Sequence, residues 1–217
     1  MKKTQAIPSL EAVDLLCTRG ERTLFDGLNF KLRGGELLRV AGPNGSGKTS
    51  LLRIACGLLE PNRGQVRWDG GDVRKLREEF WIRLLYIGHA NALKDDLTAV
   101  ENLGVACALA GLVVRKRQLA DALRLLGLSG CENLPARTLS QGQRRRVALA
   151  RLALGEGTRL WVLDEPFTAL DAAAIDCVQD LISGHVARGG AVMYTTHYEA
   201  SIVAAVTQRV DLEASPG

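Results

Sequence analysis

The chain has 217 residues, 47% of them hydrophobic, 24% charged and 5% aromatic, with a formal net charge of +4. That composition suits one full α/β domain with a substantial core; it excludes a disordered chain and leaves two independent domains cramped. The charge is too mild to argue for nucleic acid, whose readers concentrate basic residues on one face, and no apolar run approaches the roughly 20 residues that cross a bilayer.

The start, Met1-Lys2-Lys3-Thr4-Gln5, has no apolar core behind its lysines, so the protein is expected in the cytoplasm; a basic face toward an anionic membrane surface is compatible with the charge. Cys17, Cys56, Cys107, Cys131 and Cys177 form no C-x-x-C pair and lie near no His cluster, which argues against zinc or haem attachment and for reduced core thiols.

In chain order, apolar segments around Leu10–Cys17, Leu28–Leu32 and Leu37–Ala41, broken by Arg19-Gly20-Glu21-Arg22 and Arg33-Gly34-Gly35, predict antiparallel strands. A helix follows from about Ser50. Turns at Pro61–Gly64 and Asp69–Gly71 flank a short strand, Gln65–Trp68, and Leu84–Ile87 predicts a buried strand ending at Gly88-His89. From Leu97 to Pro135 the pattern turns helical. Thr98 with Glu101 predicts a capping box on a helix through Leu112, while Leu119, Ala122, Leu123 and Leu126 share one helical face. Leu139–Leu154 predicts a further helix. The continuous apolar run Leu160–Leu163 predicts a strand buried on both faces of a parallel sheet. Ile175, Val178, Ile182 and Val186 mark the next helix, Ala191–Tyr194 the next strand, and Thr195-Thr196-His197 its exit; with about twenty residues after it, no regulatory C-terminal domain is expected.

The chemistry centres on Gly42-Pro43-Asn44-Gly45-Ser46-Gly47-Lys48-Thr49, which fits G-x-x-x-x-G-K-[ST] between an apolar run and a helical pattern. The glycines let backbone N–H groups turn toward phosphates, Lys48 would reach the β- and γ-phosphates, and Thr49 would offer its hydroxyl to Mg²⁺. Asp164 closes a buried strand, where a carboxylate can hold Mg²⁺ or its water, and Glu165 could orient and deprotonate an attacking water. Ser140-Gln141-Gly142-Gln143 reads both as a capping box and as a helix end able to bind a γ-phosphate held elsewhere. His197, leaving a strand after two threonines, is placed to meet the γ-phosphate or the attacking water. Arg115-Lys116-Arg117 and Arg144-Arg145-Arg146 read as solvated helix faces, with a partner-docking surface as the lesser reading, and His185, on a polar helix face, has no role.

The ordered set GPNGSGKT (42–49), LSQGQRRRVALARL (139–152), LWVLDEP (160–166), ALD (169–171) and TTH (195–197) resembles the ATP-binding subunits of ABC transporters. The resemblance implies an α/β fold: a P-loop NTPase core of RecA-like type, an antiparallel β subdomain and a helical subdomain carrying the signature. It implies a single ATP-binding domain over 1–217, with 97–154 as the helical subdomain and 1–96 plus 155–217 as core and antiparallel parts. It also implies ATP and Mg²⁺, two subunits sandwiching ATP, Lys48 and Thr49 on phosphate and metal, Asp164 on Mg²⁺, Glu165 as base, His197 on the γ-phosphate, Ser140 with Gly142 acting across a homodimer, and Gln143 among the ATP-binding residues.

Three positions depart from that pattern: Gln141 stands for a glycine, Arg19 aligns with the adenine-stacking aromatic, and His89 stands for the glutamine after the strand. YIGHANALKDDLTAVENL and WVLDEPFTALD narrow the likeness to the haem-exporter ATPase of cytochrome c maturation. This implies a peripheral subunit on the cytoplasmic face of the inner membrane that energises integral-membrane permease subunits, for haem export or for release of a haem-loaded chaperone. The ATPase of another ABC importer or exporter, or a soluble one serving cofactor assembly, would share the core motifs. A DNA-repair ATPase of this superfamily would need a long coiled-coil insertion that is absent. The chain itself is not expected to hold haem, having three histidines, no C-x-x-C-H, and methionines at Met1 and Met193.

Overall fold

The structure, a computed structural model, describes residues 8–155 and 157–213, so the Met1–Gln5 start lies outside the described residues. A hairpin of β1 (Ser9–Arg19) and β2 (Arg22–Arg33) opens the chain, turning at Gly20-Glu21. The third expected antiparallel strand is not one. β3 (Glu36–Ala41) runs parallel in a second sheet, because Leu37, Leu38 and Val40 are buried on both of its faces, as a central parallel strand requires.

After α1 (Lys48–Ala55), β4 (Arg63–Trp68) and β5 (Gly71–Asp72) complete an antiparallel sheet of order β2-β1-β4-β5. Two one-turn helices the sequence did not announce, α2 (Val73–Leu76) and α3 (Glu78–Trp81), lead to β6 (Leu84–Ile87). β6 is not wholly buried as expected: it lies at a sheet edge, with Leu85 and Ile87 buried and Leu84 and Tyr86 half-buried.

The helical segment begins with α4 (Ala99–Leu109), capped reciprocally by Thr98 and Glu101. It stops short of Leu112 because Gly111 turns the chain at φ 71°. α5 (Lys116–Leu125) buries Leu119, Ala122 and Leu123. The helix expected over Leu139–Leu154 is shorter: α6 (Gln141–Leu149) begins after the Ser140 cap and tightens into a 3₁₀ segment at Ala150–Leu154.

β7 (Leu160–Leu163), α7 (Ala172–Ala187) and β8 (Ala191–Thr195) follow, and a final strand absent from the sequence reading, β9 (Val206–Asp211), pairs with β3. The parallel sheet runs β6-β7-β8-β3-β9. Along β7, Trp161 and Leu163 enter one core with the helical segment, while Leu160 and Val162 enter the other with α1 and the antiparallel sheet. The sheet is thus covered on both faces, and every strand delivers its C-terminal residue to one edge. All five cysteines are free, but Cys131 and Cys177 are half-buried, lying on the rim of the core rather than within it.

His185 also departs from expectation. It is 3% exposed, its ring stacks on Trp161 at 3.9 Å and 7°, and a Cβ on Gly190 would stand 2.1 Å from its Nε2. Burial, with help from the Arg188 charge, pushes its pKa down to about 4. The unfolded imidazole titrates at about 6.5, so between these values the unfolded chain binds the extra proton and stability falls as pH falls. Acidification from pH 7 to 5 should cost about 2 kcal/mol at this residue. Urea unfolding at the two pH values should show that loss in the wild type and a shallower one in His185→Gln; equal slopes would refute it.

Candidate active site

The loop between β3 and α1 needs glycine at two crowded points. At Gly42 (φ 143°) a Cβ would lie 2.4 Å from the Leu212 carbonyl oxygen, and at Gly47 (φ 99°) it would press on Leu24 at 3.0 Å. No side chain caps α1, so its first-turn amides remain free for an anion, and Ser46 Oγ is buried without a hydrogen-bond partner. Lys48, 9% exposed, curls over the loop and donates to the carbonyls of Gly42 (2.8 Å) and Pro43 (3.0 Å).

Asp164, 2% exposed, leaves β7 at the same sheet edge. Its Oδ2 accepts from Thr49 Oγ1 and its Oδ1 from Thr195 Oγ1, both at 2.8 Å. Thr195, at the end of the intervening strand β8, also accepts from the Glu165 N–H at 2.9 Å. The Thr49 hydroxyl and Asp164 carboxylate, side by side beneath the phosphate loop, fit Mg²⁺, a cation that takes oxygen and keeps few protein ligands.

Glu165 sits at φ 49°, a backbone region non-glycine residues seldom occupy. Its Oε2 accepts from the His197 N–H at 3.2 Å, whereas its buried Oε1 accepts no hydrogen bond and lies 3.5 Å from His197 Nε2. Asn44 Oδ1 is 3.1 Å from the same ring nitrogen. Loop, metal-type oxygens, carboxylate and imidazole therefore meet in one cleft of about 650 Å³. Its far wall carries Arg19, Arg22 and Leu24 of the β1–β2 hairpin, so the residue aligned with the adenine-stacking aromatic does reach the cleft. His89 and Thr49 also border a second cleft, of about 440 Å³, between the exit of β6 and the helical segment.

Ser140, Gly142 and Gln143 are not brought into the cleft. Ser140 N donates to Gln143 Oε1 (2.8 Å) and Gln143 N to Ser140 Oγ (3.2 Å), while Gly142 rests on the Ala169 carbonyl, 2.7 Å from where its Cβ would be.

The sequence reading missed two residues. Thr195 was read only as strand exit, yet the register Leu163↔Tyr194 places it beside Asp164. Arg145 is 4% exposed rather than solvated, while its neighbours Arg144 and Arg146 pair with Asp95 and Asp171. Its spacing to Ala148 and Leu149, on the buried face of α6, is the signal that could have found it.

A phosphate loop, a buried strand ending in Asp-Glu and a parallel sheet between them define a P-loop nucleoside triphosphatase. The ABC transporter family model matches residues 25–168. The "Cytochrome c biogenesis ATP-binding export protein CcmA" of Nitrosospira multiformis is 53% identical over 206 residues, 95% of this chain and 100% of the relative. The protein of the same name from Aromatoleum aromaticum is 55% identical over 196 residues, 90% of this chain and 92% of its own. Among solved structures, the ATP-binding subunit of an ABC transporter matches with a TM-score of 0.79 at 28% identity, over 88% of this chain and 80% of that one. The chain belongs to the ABC transporter family, as an ATP-binding, ATP-hydrolysing subunit of the cytochrome c biogenesis ATP-binding export type.

Proposed function

We propose that this chain binds ATP with Mg²⁺ and, as a homodimer, energises integral-membrane permease subunits of cytochrome c maturation from the cytoplasmic face of the inner membrane. The export step moves haem or frees a haem-loaded chaperone, and the chain itself holds no haem. Bound Mg²⁺ would neutralise phosphate charge as it develops. Thr49 and Asp164 would hold it, Lys48 would grip the β- and γ-phosphates, Glu165 would take a proton from the attacking water, and His197 would steady Glu165 and the γ-phosphate.

One observation carries the dimer. The Ser140–Gln143 turn lies outside the cleft that gathers Lys48, Thr49, Asp164 and Glu165, so a second copy must supply it if it is to touch the same nucleotide. Residues 97–154 would serve as the unit presenting that turn. The neighbouring 440 Å³ cleft, with His89 at its border, supports a coupling site for the permease: a partner seated there would act on the nucleotide through His89 by a water or a direct contact, since imidazole is a poor Mg²⁺ ligand.

Light scattering of Glu165→Gln should show a monomer that doubles in mass with ATP. Tagged protein extracted from membranes should bring permease subunits with it, and these should raise its ATPase rate. A mass indifferent to ATP would overturn the sandwich, and membrane retention without a permease would overturn the partner assignment.

A further inference from the structure

Arg145 projects from α6 one turn beyond the Ser140 cap and is buried. Its Nη1 donates to the Gly88 carbonyl at 2.9 Å and to Asn91 Oδ1 at 3.3 Å. Its Nη2 donates to the carbonyls of Asp164 at 2.8 Å and Glu165 at 2.9 Å. A buried guanidinium is costly without partners, and burial lowers its pKa while the charges of Asp164 and Glu165 raise it. These contacts offset part of that cost, Nε remaining buried without a partner, and they go to two places: the peptides on either side of the Glu165 Cα, and the exit of β6 beside His89.

Glu165 has reason to need such a clamp. Its left-handed backbone costs on the order of 1 kcal/mol or more and persists only where its surroundings hold it. Thr195 fixes its N–H, and Arg145 fixes the carbonyls before and after its Cα. With those three points held, the carboxylate has few directions left, and it is aimed at His197 and the cleft. An arginine suits the task because its planar fork donates on two sides at once, which a lysine ammonium on one stem does not reproduce.

We infer that Arg145 is a positioning residue for ATP hydrolysis: from the helix that carries the Ser140 turn, it sets the Glu165 carboxylate against the cleft and ties it to Gly88, next to His89. This rests on the reading of Glu165 as the carboxylate that activates water. It makes the signature helix, the water-activating carboxylate and the exit of β6 one hydrogen-bonded unit, so a displacement at either end is felt at the reacting group.

The test is single-turnover hydrolysis per bound ATP, with KM, nucleotide affinity and melting temperature, for wild type, Arg145→Gln, Arg145→Lys, Glu165→Gln and the Arg145→Gln/Glu165→Gln double variant. Arg145→Gln should lower the rate per bound ATP by about tenfold to a hundredfold, the range of a misplacement of roughly 1 Å, with KM and affinity within about threefold. Arg145→Lys should recover only part of the loss. On the Glu165→Gln background the further drop should shrink below about threefold, since a carboxylate already removed cannot be misaimed. Normalising to bound nucleotide removes any fall in folded fraction, and if Arg145→Gln does not fold, Arg145→Lys carries the comparison alone and on Glu165→Gln. A wild-type rate per bound ATP, or a loss fully additive to that of Glu165→Gln, would overturn the inference. If Glu165→Gln itself turns over at the wild-type rate, the base assignment fails, and the inference about Arg145 with it.

Discussion

Glu165→Gln should leave ATP binding intact and slow hydrolysis by roughly 10² to 10⁴, the usual cost of removing a general base. The substitution is isosteric, and what holds the residue in place is backbone: its N–H on Thr195 and its carbonyl on Arg145, neither of which a side-chain amide disturbs. The amide oxygen can still accept from the His197 N–H, so the shape of the cleft persists while the capacity to take a proton is lost. Phosphate contacts would lie elsewhere, on the 42–49 loop and at the start of α1. Rapid-quench single turnover with a parallel binding isotherm separates the two effects, and hydrolysis at the wild-type rate would assign the base to another group.

The legibility of this chain follows from where each residue's partner lies. Leu160–Leu163 announces itself because a strand covered on both faces has no polar alternation to confuse its period, and Ser140 with Gln143 because a capping box is a local contract between residues three apart. The antiparallel expectation for β3 fails because apolarity fixes that a strand is buried, not which neighbour it pairs with. β9 escaped because Val206–Asp211 lies half-exposed at an edge, where Thr207, Gln208 and Arg209 dilute the pattern; its partner, β3, lies far earlier in the chain.

The site divides along the same line. Lys48, Thr49, Asp164, Glu165 and His197 each belong to a short stretch whose spacing points to its chemistry, and the structure gathers all of them in one cleft. Thr195 and Arg145 act through partners distant in sequence, a carboxylate on the adjacent strand and four acceptors on two loops; outside the site, His185 does the same on the face of Trp161. Polar residues inside a run are ordinarily assigned to solvent, because most are exposed. The exceptions are those buried among partners that only the fold brings together.

Lys48→Ala should act on binding as strongly as Glu165→Gln acts on turnover. Losing one partner of a largely buried, hydrogen-bonded charge pair costs about 2 to 4 kcal/mol, which corresponds to an ATP affinity roughly 30- to 1,000-fold weaker. Lys48 is 9% exposed, and its Nζ stands between the Gly42 and Pro43 carbonyls, so the cation is already held where the loop turns toward α1. Its removal takes away the charge that would meet the phosphates and also the link that draws the two carbonyls together, leaving them without that donor at the mouth of the site. Lys48→Arg, which keeps the charge but brings a wider group to a crowded position, should recover only part of the affinity. Isothermal titration with ATP and Mg²⁺, alongside melting curves to establish that each variant is folded, measures the loss directly. A folded Lys48→Ala that binds ATP as tightly as the wild type would mean that the loop's backbone amides hold the phosphates alone.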